Sequence, residues 1–267
     1  MTILESINGT LTRRGAATLT WLSGWFALVG FAASALVHAL TPSTYNSATR
    51  SVVLKQIYFT AWQILPGYSL FAALLSFVII RIVVSTARDF GLSDYALETV
   101  IRVLVLELLP LVTALFIALR SSAAINTEVA LMNAHNEIKA LEDVGVDPMR
   151  FEIIPRVIGG TISVLALSAV SGMIALALAY LVVYGAQTWN FGAFSVVLSK
   201  VFDFGILLGL SLKVFLFGMA VTVIPISEGL RAPQKLFFVP IAVLRGMVRL
   251  FFVLMLIEVA SLALKYI

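Results

Sequence analysis

Ionisable side chains inside apolar runs are the first candidates for chemistry in this sequence, and the clearest are Arg102, Glu107 and Lys213. A lone charge in a hydrocarbon surrounding costs free energy, so such residues usually face a bundle interior, a partner or water. The planar guanidinium of arginine also suits phosphate. Residues of these types could therefore bind the polar end of an amphiphilic molecule, or they could pair with other side chains to hold helices together.

The spacing of these charges only partly distinguishes residues that bind an amphiphile from residues that form structural ion pairs. Arg102 follows Glu98 by four residues, which puts both on one helix face, whereas Glu107 is five residues beyond Arg102 and lies at a different azimuth. A structural ion pair and a headgroup-binding lining are equally supported for this helix. Lys213 has no acidic residue within four positions. From the middle of an apolar run the ammonium group of Lys213 could not easily reach the membrane surface by snorkelling, which favours a cavity-facing role. Glu258, in the last apolar run, needs a partner on another helix.

The sequence lacks the patterns of several other kinds of site. It has no cysteine and only two histidines, His38 and His135, which are far apart, so no metal site is expected. No G-x-x-x-x-G-K-[ST] motif is present, so ATP and magnesium must be bound by another chain. No nucleophile–base motif indicates an intramembrane enzyme, and no basic, aromatic-rich cluster indicates nucleic acid. We therefore expect neither a cofactor nor a catalytic residue in this chain.

The composition indicates which elements position these charges. Of the 267 residues, 61% are hydrophobic and 12% are charged, and the mean hydropathy is +1.04. Soluble domains carry about 25% charged residues, so a fully water-facing exterior is nearly excluded. A helix of about 20 apolar residues crosses a bilayer. The expected fold class is an all-α integral membrane protein, with residues 1–267 forming one domain.

Runs with few or no charges predict five membrane-spanning helices, at residues 63–85, 95–119, 157–184, 204–227 and 239–264. The turn-like residues 184–192 end the third of these, with Trp189 expected at the membrane interface. A further apolar run, residues 15–40, is long enough either to cross the membrane or to lie along it. Residues 121–150 form the one long polar connection.

Lysine and arginine lie mainly on one side of this arrangement. Twelve of them belong to three segments, residues 1–62, 120–156 and 228–249, and the opposite side carries three. The positive-inside rule assigns the richer side to the cytoplasm. Arg13-Arg14 before the run 15–40 and Arg50 after it are then on the same side. We therefore predict an interfacial helix at 15–40, a cytoplasmic N-terminus and a multi-pass protein of the inner membrane.

The polar connection has the pattern of a helix, a tight break and a second helix. Within residues 121–143, apolar side chains recur at helical spacing, at Leu131, Ala134, Ile138 and Leu141. Gly145 is suited to end this helix, and Asp147-Pro148 is suited to begin the next. A solvated connector would have the same composition. The functional alternative is a coupling element that docks in a groove on a cytoplasmic partner and transmits its motion.

Short motifs follow one another in order between Glu107 and Arg156. They are Glu107-Leu108-Leu109-Pro110, Arg120-Ser121-Ser122-Ala123, Glu128, Met132, Glu137-Ile138, Leu141, Val146-Asp147-Pro148 and Pro155-Arg156. This series resembles the signature of the MlaE/YrbE permease family. Weaker similarity at residues 55–58 and at Lys213 with Phe217-Gly218 extends the resemblance over most of the chain.

The resemblance implies a permease subunit of an ABC transporter that moves phospholipid or a similar hydrophobic molecule, driven by ATP hydrolysis in a separate subunit. It implies a homodimer, a cytoplasmic ABC ATPase dimer, an MCE-domain ring protein on the external face and a small cytoplasmic accessory protein. Coupling to the ATPase would fall to Glu128, Met132, His135, Glu137, Leu141, Glu142, Val146, Asp147 and Pro148. The polar end of the lipid would be contacted or gated by Arg102, Glu107, Lys213 and Arg245.

The chain departs from the family pattern at three places. Leu106 stands where the family has arginine before the glutamate, and Arg102, one helical turn earlier, could supply a similar charge. Bulkier residues at 69–74 replace a glycine-rich segment. Residues 232–240 replace most of a loop, after which Arg245 matches the family's arginine. The alternative function is a self-contained secondary carrier or channel, which predicts an inverted repeat; we find no convincing repeat, and an odd number of spans disfavours one.

Overall fold

The computed structural model describes residues 23–41, 47–185 and 188–266, and within these residues it is helical with no β-strand. The α-helices are α1 Ser23–Leu40, α2 Ser47–Ile57, α3 Leu65–Asp89, α4 Ser93–Val100, α5 Leu109–Ile117, α6 Ala123–Ala134, α7 Glu137–Asp143, α8 Ile154–Tyr184, α9 Phe191–Val201, α10 Phe204–Leu230 and α11 Val239–Tyr266. Segments with π-helical hydrogen bonding join several of them, at Tyr58–Trp62, Ile101–Leu108, Ala118–Ser122 and Met149–Ile153.

Six helical stretches among the described residues are long and apolar enough to cross a membrane. They are Ser23–Leu40, Thr49–Asp89, Tyr95–Ala134, Met149–Tyr184, Phe204–Leu230 and Leu236–Lys265. The all-α membrane fold is therefore confirmed, and each of the five predicted spans lies within one stretch. The third stretch, Tyr95–Ala134, continues fifteen residues beyond the predicted end at residue 119, since α5, a π-helical segment and α6 follow one another without a turn.

The first helix, α1, is attached to the bundle by contacts at both of its ends. The carbonyl oxygen of Gly24 accepts a hydrogen bond of 3.1 Å from Arg231, and Ala35 is fully buried in a cluster with Val223 and Ile226. These contacts hold α1 against the bundle. The interfacial assignment of this helix stays a prediction. Residues 15–22 of the predicted helix lie outside the described residues.

The centre of the bundle is the crossing of α8 and α10, which small residues allow to approach closely. A side chain on Gly160 would collide with the methyl group of Thr222. The reciprocal contact is similar, since a Cβ atom on Gly218 would lie 2.9 Å from Cγ2 of Thr161. Small residues at helix interfaces are the usual means of close packing in membranes. The two crossing helices hold the other spans in fixed positions.

The connection from α6 to α8 defines one end of the bundle, which we call the α7 face. The prediction of one helix over residues 121–143 is wrong, because Asn136 adopts a left-handed conformation with φ +58° and separates α6 from α7. The predicted break after α7 is confirmed. Gly145 has φ +79°, and the backbone N–H groups of Gly145 and Val146 donate to Glu142 and Leu141, as in a Schellman cap. Asp147 then accepts from the N–H of Met149 at 2.9 Å.

The opposite end of the bundle, which we call the α9 face, carries a helix that the sequence pattern did not predict. Helix α8 extends 31 residues from the α7 face to Tyr184, about 46 Å. The chain turns at Gly185, with φ +71°, and α9 then packs its Phe194 into a cluster with α4 and α8. Trp189 is exposed before α9. An apolar run too long for one helix is thus divided into a span and a short second helix.

Candidate functional site

Four charged side chains from three spans meet inside the bundle, and we call them the charge cluster. The ammonium group of Lys213 on α10 binds the carboxylate of Glu107 and lies 3.2 Å from Oε2 of Glu258 on α11. Nζ of Lys265, near the end of α11, lies 2.7 Å from the other oxygen of Glu107. Glu107 belongs to the π-helical segment Ile101–Leu108. One lysine is therefore paired with two carboxylates, and one carboxylate with two lysines.

Burial makes every member of the charge cluster dependent on the others. The side chain of Lys213 is 3% exposed, and those of Glu107 and Glu258 are 13% and 10% exposed. Removing ions from water costs several kcal/mol for each of them, which only close partners with good geometry repay. Two cations and two carboxylates sum to zero formal charge. The cluster is therefore a neutral, strongly dipolar patch within an apolar surrounding.

An open cavity of about 540 Å³ borders the charge cluster between α10 and α11, and we call it the α10–α11 cavity. Its walls are mostly apolar, with Glu107, Lys213 and Lys265 at one place and leucine, isoleucine, alanine and glycine elsewhere, including Leu106, Ile206, Gly209, Leu216, Leu256 and Ala260. Ligand pockets generally combine apolar walls with a few placed polar groups. This cavity can hold apolar chains and offers dipoles and charges to a polar group attached to them.

The structure brings together two of the four residues predicted to contact lipid, Glu107 and Lys213. The predicted internal pair of Arg102 with Glu98 is confirmed at 3.0 Å, and Glu98 also accepts from Lys200 at 2.8 Å. Arg102 therefore lies in a separate ion-pair group. Arg245 is exposed and precedes Glu258 by thirteen residues on α11, about 20 Å along the helix, so it is remote from the cluster as well.

Two members of the charge cluster, Glu258 and Lys265, were not among the residues predicted to contact lipid. Glu258 was expected to need a partner on another helix, and this partner is Lys213. The second cation of Glu107 is Lys265, which the sequence did not single out. Lys213 lines the α10–α11 cavity with its side chain buried, as the cavity-facing interpretation expects and the disfavoured snorkelling alternative does not. No spacing in the sequence relates Lys265 to Glu107, because the pair depends on how α11 packs.

A second group of charges lies at the α7 face and joins α6 to the beginning of α8. Nη1 of the buried Arg156 lies 2.9 Å from Oε2 of Glu128, and Nε of Arg156 donates to Glu152 at 3.1 Å. The short α7 beyond them buries none of its residues. The predicted coupling residues therefore all belong to α6, α7 and the connection that leads to α8 at this face. Among them Pro148 is buried, Met132, Leu141 and Val146 are half-buried, and His135, Glu137, Glu142 and Asp147 are exposed.

Comparison with known proteins assigns the family. The family model described as permease MlaE matches residues 53–264, which include the charge cluster except Lys265 and the whole α7 face from α6 to α8. The chain belongs to the MlaE permease family. As an MlaE permease it is a membrane-spanning transport subunit and not the subunit that hydrolyses ATP.

Individual relatives of this MlaE permease support the same class. The intermembrane phospholipid transport system permease protein MlaE of Haemophilus influenzae is 38% identical over 110 residues, which are 39% of this chain and 42% of that protein. Probable ABC transporter permease proteins of Rickettsia typhi and Rickettsia conorii are 26% and 27% identical, each over 77% of both chains. The alignment with the Haemophilus protein thus covers less than half of that protein, whereas the alignments with the two Rickettsia permeases cover most of those proteins.

Proposed function

We propose that this chain is the permease subunit of an ABC transporter that moves phospholipid, and that the α10–α11 cavity holds the lipid during transport. The observation that carries the proposal is the apolar cavity with the charge cluster in its wall. Acyl chains match the apolar walls, and a zwitterionic or anionic headgroup matches the exposed edge of the cluster. A relative that transports phospholipid between membranes supports the same substrate class.

The α7 face is proposed as the docking surface for the ATPase that drives transport. ABC permeases work with a separate ATPase, which would bind the ATP and magnesium for which this sequence has no motif. Helix α7 buries no residue in this chain and is fixed at both ends by left-handed residues, Asn136 and Gly145. A short, exposed helix held between two sharp turns can transmit a push into α6, which the ion pair of Glu128 with Arg156 joins to α8.

Further partners and the orientation belong to the same proposal. The α7 face would be cytoplasmic, since it carries most of the lysine and arginine, and the α9 face would meet an MCE-domain ring protein. A second copy of the chain would cover the open side of the cavity, where Leu212, Leu216 and Leu256 are exposed. A small cytoplasmic accessory protein would bind near the ATPase.

Filling the cavity without changing its charge tests the proposed lipid site. Gly209 lines the cavity, and a Cβ atom there meets nothing within 4 Å, so Gly209→Leu should fold and occupy the space of the acyl chains. We expect most of the phospholipid that co-purifies with the complex to be lost, as measured by mass spectrometry. Gly30→Leu on α1, where a Cβ atom is equally unobstructed, should leave it unchanged. Wild-type phospholipid content in the Gly209→Leu complex would refute the proposed site.

A further inference from the structure

A second cavity, of about 710 Å³, opens at the α7 face between α2 and α6, and we call it the α2–α6 cleft. It is separate from the α10–α11 cavity and shares no lining residue with it. Its wall combines apolar side chains, among them Val52, Phe59 and Ile125, with charged and amide groups. The nature of those charges indicates what the cleft binds.

The cations of the α2–α6 cleft outnumber its carboxylates. Lys55, Arg120 and Arg156 line it together with Glu128 and Glu152, so three positive and two negative charges leave a net +1. Arg156 is the buried member and takes both carboxylates. Lys55 and Arg120 have no carboxylate of the cleft as a direct partner. Their two positive charges exceed the one negative charge that Arg156 and its two carboxylates leave over.

Arg120 is oriented by neutral groups and keeps donors to spare. Its Nη1 donates to the carbonyl oxygen of Phe59 at 3.1 Å, and its Nη2 donates to Oε1 of Gln63 at 3.3 Å. A guanidinium has five N–H donors in a fixed plane, so these two bonds hold the group and leave others available. Lys55 is exposed on α2 and has no acidic partner among the described residues. A guanidinium held by two hydrogen bonds and an exposed ammonium group in the wall of the same cleft suit an oxyanion such as phosphate.

Aromatic side chains indicate the depth at which the cleft opens. Tyr58, Phe59 and Trp62, from the π-helical segment that forms the cleft's edge, are about half exposed or more. Tryptophan and tyrosine are enriched at the level of lipid headgroups, where one side of the ring is apolar and the other is wet. The cations of the cleft are therefore at headgroup level, with apolar wall residues beside them.

We propose that the α2–α6 cleft is a second lipid site, which binds the phosphate of an anionic phospholipid from the leaflet at the α7 face through Lys55 and Arg120. The acyl chains would follow Val52 and Phe59 out of the cleft into that leaflet. This site does not depend on the lipid-holding role of the α10–α11 cavity, because the two cavities have different walls. It would hold a lipid beside α6 and α8, the helices that the α7 face connects.

The absence of cysteine from the sequence allows a direct occupancy assay. In the full-length Val52→Cys protein in detergent, a maleimide should modify the thiol more slowly when dioctanoyl phosphatidylglycerol is added. The control is Leu54→Cys, an exposed position on the same helix outside the cleft, whose modification should not change. Adding Lys55→Gln to Val52→Cys should weaken the protection about tenfold in lipid concentration, as expected for losing one charge-assisted contact. Lys55→Arg should retain it.

Other additions and variants distinguish the remaining explanations. Lys139→Gln removes the same charge from exposed α7 and should leave the protection intact, which separates a contact from a general loss of positive charge. Dioctanoyl glycerol, which lacks phosphate, should protect poorly. Equal protection by dioctanoyl glycerol would overturn the proposal, and so would equal protection by inorganic phosphate, which would make this a free-anion site. Protection only when the ATPase partner is added would also overturn it, since the cleft would then be a protein interface. Gly209→Leu should not affect this assay.

Discussion

A buried lysine in this permease is stabilised by carboxylates that are distant in the sequence. Lys213 contacts Glu107, which is 106 residues away, and Glu258, which is 45 residues away. Lys265 completes the group from the last helix. Since the four charges share their partners, removal of any one of them leaves another buried charge without its full compensation. The cost of a substitution should therefore depend on how deeply the removed charge is buried.

Lys213→Met should destabilise the protein much more than Lys265→Met. The first leaves Glu258 without a cation, and breaking a buried pair costs about 3–5 kcal/mol. The side chain of Lys265 is 21% exposed, and such a partly hydrated pair contributes roughly 1 kcal/mol or less. Denaturation in one detergent, followed by circular dichroism, measures both.

The combination Lys213→Met with Glu258→Gln should recover much of the stability lost in Lys213→Met, because no buried charge then lacks a partner. Similar destabilisation by the two lysine substitutions, or no recovery in the double variant, would contradict this account of the charge cluster.

The sequence could predict which residues of the site needed partners but not which partners they have. Charge within an apolar run identifies Glu107, Lys213 and Glu258, because hydrocarbon penalises each of them. A partner within one helix can be predicted from spacing, as Arg102 and Glu98 demonstrate. A partner on another helix depends on which faces meet. For this reason Lys265 could not be assigned to Glu107.

At the scale of elements, the close crossing of α8 and α10 tolerates little change. Gly160→Ala places a methyl group against Cγ2 of Thr222. Overpacking typically costs about 1–3 kcal/mol, which exceeds the roughly 1 kcal/mol that alanine gains over glycine in a helix. We expect a lower unfolding temperature for Gly160→Ala. The control Gly67→Ala on α3, where a Cβ atom meets nothing within 4 Å, should be neutral or stabilising.

Thr222→Ser should restore the stability of Gly160→Ala. Serine lacks the obstructing methyl group but keeps the hydroxyl, which donates to the carbonyl oxygen of Gly218 at 2.9 Å. Residues in contact show non-additive effects, so the double variant should be more stable than the sum of the two single changes. Strict additivity would mean that the two helices do not approach each other at this place.

Helices whose limits depend on the length of an apolar run could be predicted from the sequence. Breaks that depend on the backbone conformation of a single residue could not always be predicted. The five spans follow from runs of about 20 apolar residues, and the end of α7 follows from Gly145. The interruption at Asn136 does not, because the apolar spacing of Leu131, Ala134 and Ile138 continues through it. Helix α9 was not predicted because it continues an apolar run, and no charged residue in that run marks where the helix begins.

The whole molecule has two chemically different ends, and α1 should lie at only one of them. In right-side-out and inverted vesicles, an impermeant thiol reagent should modify Lys139→Cys from the side of the α7 face and Trp189→Cys from the other side. Ser23→Cys and Thr41→Cys, at the two ends of α1, should both react from the same side as Lys139→Cys. Reaction of these two cysteines from opposite sides would make α1 a sixth span and would refute the interfacial helix.

The neutrality of the charge cluster has an electrical consequence. A charge that crosses the membrane field exchanges about 2.3 kcal/mol per 100 mV with it, and a lone lysine at this depth would make every opening of the cavity sensitive to that field. Lys213, Lys265, Glu107 and Glu258 sum to zero, so a rearrangement that carries them together moves no net charge. The charge cluster itself then adds no dependence on the membrane potential to the opening of the cavity.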